Sequence, residues 1–237
     1  MSKGYILLEG GAEFGGLMAE PDLRAIELAG GMEAPICMIP TAAAPDHNDQ
    51  RAGQNGVRWF RSLGARQVTL LPLIDQASAD QPSIVIALRK ARLIYLLGGF
   101  PEYLGNTLAG SLSWQAMLEA YHNGAVIAGS SAGAMVLCQH YYDPYTQNLV
   151  DGLNLVPQAC VLPHHNAFGK SWAPRLADLL PGVGLVGIDE QTGMIDDAEA
   201  GQWNVYGKGA VTLYKDGEAR VYRKGEVFSV ARRAPSQ

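Results

Sequence analysis

Near-continuous apolar runs recur along the chain at Tyr5–Leu8, Pro35–Ile39, Val68–Leu73, Leu93–Leu97 and Val126–Ala128. Runs without a polar alternate face are what parallel strands buried on both faces require. Between them lie segments of helical spacing: Asp22–Ala29 behind Pro21, Asp49–Leu63 with Val57 and Phe60 on one face, Pro82–Lys90, and Trp114–His122 behind a Ser113 cap. This alternation predicts an α/β protein with a doubly wound, mostly parallel sheet and right-handed crossovers.

The pattern changes in the last quarter of the chain. After another apolar run, Gly184–Ile188, residues Trp203–Val230 alternate apolar and polar positions. Asp216-Gly217 lies between Val211–Lys215 and Ala219–Arg223 as a hairpin turn signal. A C-terminal antiparallel β appendage that closes the sheet is therefore expected, with Arg232–Gln237 as a frayed tail. No internal repeat or composition break divides the sequence, so residues 1–237 read as a single domain.

Composition narrows the partners. With 237 residues, 48% of them hydrophobic, the chain can bury a sizeable core. Its formal net charge of -5 and dispersed lysines and arginines offer no surface for nucleic acid. The apolar start Tyr5–Leu8 is too short for a signal peptide, and no run approaches the roughly 20 residues that cross a membrane. A cytoplasmic protein is expected. Cys37, Cys138 and Cys160 lack C-x-x-C spacing and read as reduced core residues. Neither a metal nor a cofactor is implied. The partner expected is a small peptide substrate, with a homodimer left open.

Chemistry concentrates at Gly129-Ser130-Ser131-Ala132-Gly133, where an apolar strand gives way to a helix-compatible segment. In a G-x-S-x-G turn the central serine is held on a sharp strand-to-helix bend, its hydroxyl exposed and the following amide free to donate to an oxyanion. Only Ser131 has glycine at both the second preceding and second following position. The alternative is a small-residue turn without chemistry.

Sites in doubly wound sheets form beyond the carboxyl ends of the strands. The loops in that place are Glu9-Gly10-Gly11-Ala12-Glu13, Thr41-Ala42-Ala43, Gly98-Gly99-Phe100-Pro101-Glu102, the Ser131 turn and Pro163-His164-His165-Asn166. Gly99 is placed to offer a second oxyanion amide. Among the histidines, His164 and His165 follow an apolar run and are best placed to act as a base, whereas His47, His122 and His140 fall elsewhere. For the acid that would orient the base, Asp143, Asp151, Asp189 and Glu190 all remain open. Phe100, Glu102, Tyr103, His165, Asn166 and Lys170 flank the candidate site as substrate-binding residues, and each is equally explicable as a loop residue.

Gly10-Gly11-Ala12-Glu13, Ile39-Pro40-Thr41-Ala42, Leu63-Gly64-Ala65, Gly98-Gly99, Gly124–Ala134 and Gly187-Ile188-Asp189-Glu190 resemble segments that recur in this order in cyanophycinases and the related peptidase E, an α-aspartyl dipeptidase. The resemblance spans almost the whole chain and implies the flavodoxin-like, class I glutamine amidotransferase-like fold, with serine where amidotransferases use cysteine. It implies Ser131 as nucleophile, His164 as base and the amides of Gly99 and Ala132 as the oxyanion hole. Asp143 falls near the acid position of peptidase E, at a shorter spacing from the serine. The chain departs from the pattern of both families at positions expected to meet the substrate. Cyanophycinases typically carry Gly-Gly-Asp-Gln after the fourth strand and Asp-Gln before the histidine, and peptidase E Gly-Gly-Asn-Thr. Here Gly98-Gly99-Phe100-Pro101 and Leu162-Pro163 stand at those places.

The leading expectation is a serine peptidase or amidohydrolase that cleaves a short peptide or isopeptide through an acyl-enzyme. A non-catalytic binding or regulatory protein on the same fold is the alternative. A glutaminase is disfavoured by the serine.

Overall fold

The computed structural model describes residues 3–199 and 202–230. Its strands are β1 (Ile6–Glu9), β2 (Ile36–Ile39), β3 (Val68–Leu70), β4 (Leu93–Leu96), β5 (Val126–Ser130), β6 (His140–Asp143), β7 (Asn148–Asp151), β8 (Ala159–Leu162), β9 (Gly184–Ile188), β10 (Thr192–Ile195), β11 (Trp203–Gly207), β12 (Ala210–Lys215), β13 (Glu218–Arg223) and β14 (Val227–Phe228). Its helices are α1 (Ala19–Leu28), α2 (Asp49–Ser62), α3 (Gln76–Ala79), α4 (Pro82–Lys90), α5 (Pro101–Leu108), α6 (Leu112–His122), α7 (Ala132–Leu137) and α8 (Ala173–Leu179).

The main sheet has the order β14-β11-β10-β1-β5-β4-β2-β3. Its half from β1 to β3 is parallel, built from the apolar runs. Side chains alternate across it because the strand period is two. Leu7, Met38, Tyr95 and Ala128 face Ile26 of α1 and Val57 and Phe60 of α2. Leu8, Ile39, Leu96 and Ile127 face the opposite way, into a core shared with α4, α5 and α6. Helices on both faces make the sheet doubly wound, and each fully buried Leu, Ile or Phe contributes about 1.5–3 kcal/mol.

The appendage is divided rather than single. β10, β11 and β14 extend the main sheet antiparallel beyond β1. The β12–β13 hairpin instead joins β9, which runs parallel to β8, in a separate four-stranded sheet. Val161, Val186, Ile188 and Val211 pack into the same core as the main sheet, so the second sheet buries its inner face without joining the first. All three cysteines are free and buried, and burial pushes the Cys37 and Cys160 thiols up to about 12. Among the described residues no helix is long and apolar enough to cross a membrane. The expected tail, Arg232–Gln237, lies outside the described residues.

Candidate active site

Ser131 stands between β5 and α7 with φ 49° and ψ -111°, a left-handed conformation that a residue bearing a Cβ rarely adopts. Such strain costs about 1–3 kcal/mol and persists only where the surroundings enforce it. The flanking glycines supply the room. A Cβ on Gly129 would lie 2.4 Å from the backbone carbon of Gly133, and one on Gly133 would lie 2.2 Å from the Leu96 carbonyl oxygen. The bend can therefore close against itself and against β4 only with glycine at both places. The Ser131 amide donates to the Glu9 carbonyl at 3.0 Å, which ties the bend to the end of β1.

His164 Nε2 lies 3.1 Å from Ser131 Oγ, and His164 Nδ1 lies 2.8 Å from Glu190 Oε1. Three loops make this chain. His164 follows β8, Glu190 lies in the turn between β9 and β10, and the Gly10-Gly11 turn after β1 holds both of the others. The Gly10 carbonyl accepts from the His164 amide at 2.7 Å, and that of Gly11 accepts from the Gln191 amide at 3.1 Å. Gly11 also underlies the imidazole, where a Cβ would lie 2.2 Å from the ring. Phe168 stacks on the His164 ring, with centroids 4.9 Å apart, and leans on Trp172. Asn166 Oδ1 accepts from the Glu190 amide at 2.9 Å. His164 and Gln191 also have positive φ, 47° and 54°.

Beside Ser131 opens a cleft of about 250 Å³. Gly99 lies on its wall. Ala132 is the first residue of α7, and its amide has no intrahelical acceptor. Beneath the bend, Ser130 Oγ donates to Glu13 at 3.0 Å. Deeper still, Glu9, Asp22 and Tyr95 are fully buried, with the Tyr95 hydroxyl donating to Glu9 and the Trp59 indole donating to Asp22 at 2.7 Å. Burial, joined by repulsion from Asp22, pushes Glu9 well above the usual carboxylate range. Burial likewise pushes Asp22 up to about 7, against the hydrogen bond from Trp59. Among the described residues no cluster of three or more His, Cys, Asp or Glu is arranged to hold a metal ion.

Residues 6–198 match peptidase family S51. The chain is 30% identical over 229 residues to cyanophycinases of Synechococcus elongatus and of Thermosynechococcus vestitus, a match that covers 89% of this chain and 68% of each relative. The crystal structure of a peptidase from an acI-B1 actinobacterium superposes with a TM-score of 0.86 at 32% identity, covering 96% of this chain and 97% of that one. The chain belongs to peptidase family S51. It is a serine-type peptidase with the α/β fold of that family.

In this S51 peptidase the remaining acids and flanking residues are engaged elsewhere. Asp143, near the acid position implied by the resemblance to peptidase E, is not the partner of His164. Its Oδ1 accepts from the amides of Tyr145 and Thr146 at 2.7 and 2.9 Å, and its Oδ2 accepts from the Glu102 amide in the first turn of α5. A carboxylate at a helix start that also closes its own turn is satisfied where it stands. Asp151 pairs with His140 on the β6–β7 hairpin. Asp189 lies 3.3 Å from His165 Nδ1 and accepts from the Ala210 amide at 2.9 Å.

The candidate substrate residues divide likewise. His165 is buried with its Nε2 2.9 Å from the Tyr214 hydroxyl, and burial holds its pKa below the ordinary histidine value against the pull of Asp189. Asn166 holds the Glu190 backbone, and Tyr103 donates to the Ile74 carbonyl. Phe100 stacks on Tyr145 with centroids 4.4 Å apart, beside the cleft. Glu102 contributes its amide to Asp143, and Lys170 lines a separate groove between α8 and the β12–β13 hairpin. Sequence reasoning missed Phe168, Trp172, Tyr145 and Met135, which line the cleft. Apolar side chains in loops and short helices carry no chemical signature of their own, and only the aromatic spacing Phe168-x-x-x-Trp172 hinted at a shared face.

Proposed function

We propose that this peptidase hydrolyses a short peptide or isopeptide with Ser131 as nucleophile, His164 as general base and acid, and Glu190 as the orienting acid. The observation that carries the reading is the unbroken chain from Ser131 Oγ through His164 to Glu190, at 3.1 and 2.8 Å. Glu190 accepts the proton on Nδ1, which leaves Nε2 as the acceptor facing the hydroxyl. As Oγ attacks the substrate carbonyl, its proton passes to Nε2 and a tetrahedral oxyanion forms. The amides of Gly99 and Ala132 are the donors assigned to that oxyanion. Collapse breaks the C–N bond, and the amine leaves with the proton held on Nε2. Water then gives a proton to Nε2 and adds to the acyl-enzyme, and collapse returns that proton to Oγ as the acid departs.

The buried, unpaired cysteines accord with a reducing compartment and hence with the cytoplasm. Ser131→Ala is the direct test. Turnover of a responsive peptide should fall by about 10⁴-fold or more, with the thermal unfolding transition retained. Comparable turnover in that variant would remove Ser131 from the mechanism.

A further inference from the structure

We infer that the side chain seated in the cleft beside Ser131 during cleavage is uncharged and apolar or aromatic, rather than an aspartyl or arginyl group. The inference rests on Ser131 being the nucleophile. Apart from Gly99, Ser131 and His164, the cleft is lined by Pro101, Pro144 and Pro163 together with Met135, Tyr145, Phe168 and Trp172. None of these carries a charge, and three of the neighbouring charged groups are held elsewhere. Asp143 is closed onto its own turn and onto α5, Asp189 onto His165 and Ala210, and Lys170 lines the other groove.

A carboxylate or guanidinium taken from water needs an opposite charge to offset its desolvation, and no residue of this wall carries one. It offers aromatic faces. Phe168 is 48% exposed and Tyr145 62%, although both lie against other rings, Phe168 on His164 and Trp172 and Tyr145 on Phe100. Exposed aromatic surface on the lips of a narrow cleft gains its burial when a ligand covers it. At about 250 Å³ the space is below the range of roughly 300–1,000 Å³ that takes a drug-sized molecule, so it suits a single side chain.

The experiment uses aminoboronic acids bearing phenylalanine, leucine, aspartate or arginine side chains. Ser131 Oγ adds to boron, its proton passes to His164, and a tetrahedral adduct forms without a leaving group. Each compound competes with a small fluorophosphonate that labels serine nucleophiles, and α-aspartyl, β-aspartyl, arginyl, leucyl and phenylalanyl dipeptides are followed in parallel for cleavage. The phenylalanine and leucine compounds should compete at concentrations about 100-fold lower than the aspartate and arginine ones, and the order of dipeptide turnover should agree. Tyr145→Arg should narrow the gap to the aspartate compound by about ten-fold or more, and not that to the arginine compound, by placing a cation on the wall.

Equal or tighter competition by the aspartate or arginine compound overturns the inference, while labelling at Ser131 leaves the peptidase mechanism standing. An unchanged phenylalanine-to-aspartate ratio in Tyr145→Arg also overturns it. Absence of Ser131 labelling in the folded protein sinks the nucleophile assignment itself, and the inference with it.

Discussion

Consecutive residues answer one another across the site: His164 meets Glu190, while His165 meets Asp189. Only the first pair points at Ser131; the second is turned inward to Tyr214. Glu190→Gln should therefore lower kcat by about 100-fold or more, through loss of the tautomer that leaves Nε2 free to accept. Asp143→Asn should keep kcat within about ten-fold while it weakens the turn and the start of α5 by about 1–2 kcal/mol. Steady-state kinetics and denaturant titration on the two variants separate these outcomes, and the reverse pattern would restore Asp143 to the site. Gly11→Ala tests the same geometry from below, since its Cβ would lie 2.2 Å from the His164 ring and must displace it. A loss of kcat with the overall fold retained is expected. Ser131 and His164 were legible in the sequence because a glycine-flanked serine and a histidine after an apolar run carry positional signals. Which acid faces His164 was not, because Asp189 and Glu190 are neighbours whose directions depend on the phase of the turn between β9 and β10.

The elements were legible to the extent that their signals were local. The parallel strands matched their apolar runs to within a few residues, and Asp216-Gly217 forms the expected hairpin turn, both residues having positive φ. The placement of β9 was not legible, since an apolar run gives burial and no partner. Helix α5 was hidden behind Gly98-Gly99-Phe100-Pro101, which reads as a loop although Pro101 opens the helix. The start of α6 shows how a cap is misread by two residues. Ser113 was the expected cap, yet Ser111 accepts from the Trp114 amide, while Ser113 lies inside the helix with its buried hydroxyl unpartnered. Ser111→Ala should cost about 1 kcal/mol. Ser113→Ala should be neutral or stabilising, because it removes a hydroxyl that gains no hydrogen bond. Equal losses in the two variants, measured by urea unfolding, would contradict this assignment.

Across the whole molecule, the bend that carries Ser131 rests on acids that are not ionised as surface acids are. Glu9 pairs with Ser130 across β1 and β5, and its carbonyl holds the Ser131 amide, so its buried side chain is linked to the turn that carries Ser131. Burial raises Asp22 from the ordinary aspartate value of 3.8 to about 7. Between those values the folded state binds more protons than the unfolded one, so stability falls as pH rises. The contribution is fully present below the unfolded value and is lost through about pH 7. Asp196, raised by burial to about 6, acts in the same direction, while His165, lowered by burial, acts against it. The informative quantity is therefore a difference between proteins. Asp22→Asn keeps an acceptor for the Trp59 indole and carries no charge at any pH. Its melting temperature should fall less than that of the wild type between pH 5 and 8, by several degrees, given about 2–4 °C per kcal/mol for a chain of this size. Parallel melting curves over that range would show that Asp22 titrates as an ordinary acid and that the support beneath the bend does not depend on a retained proton.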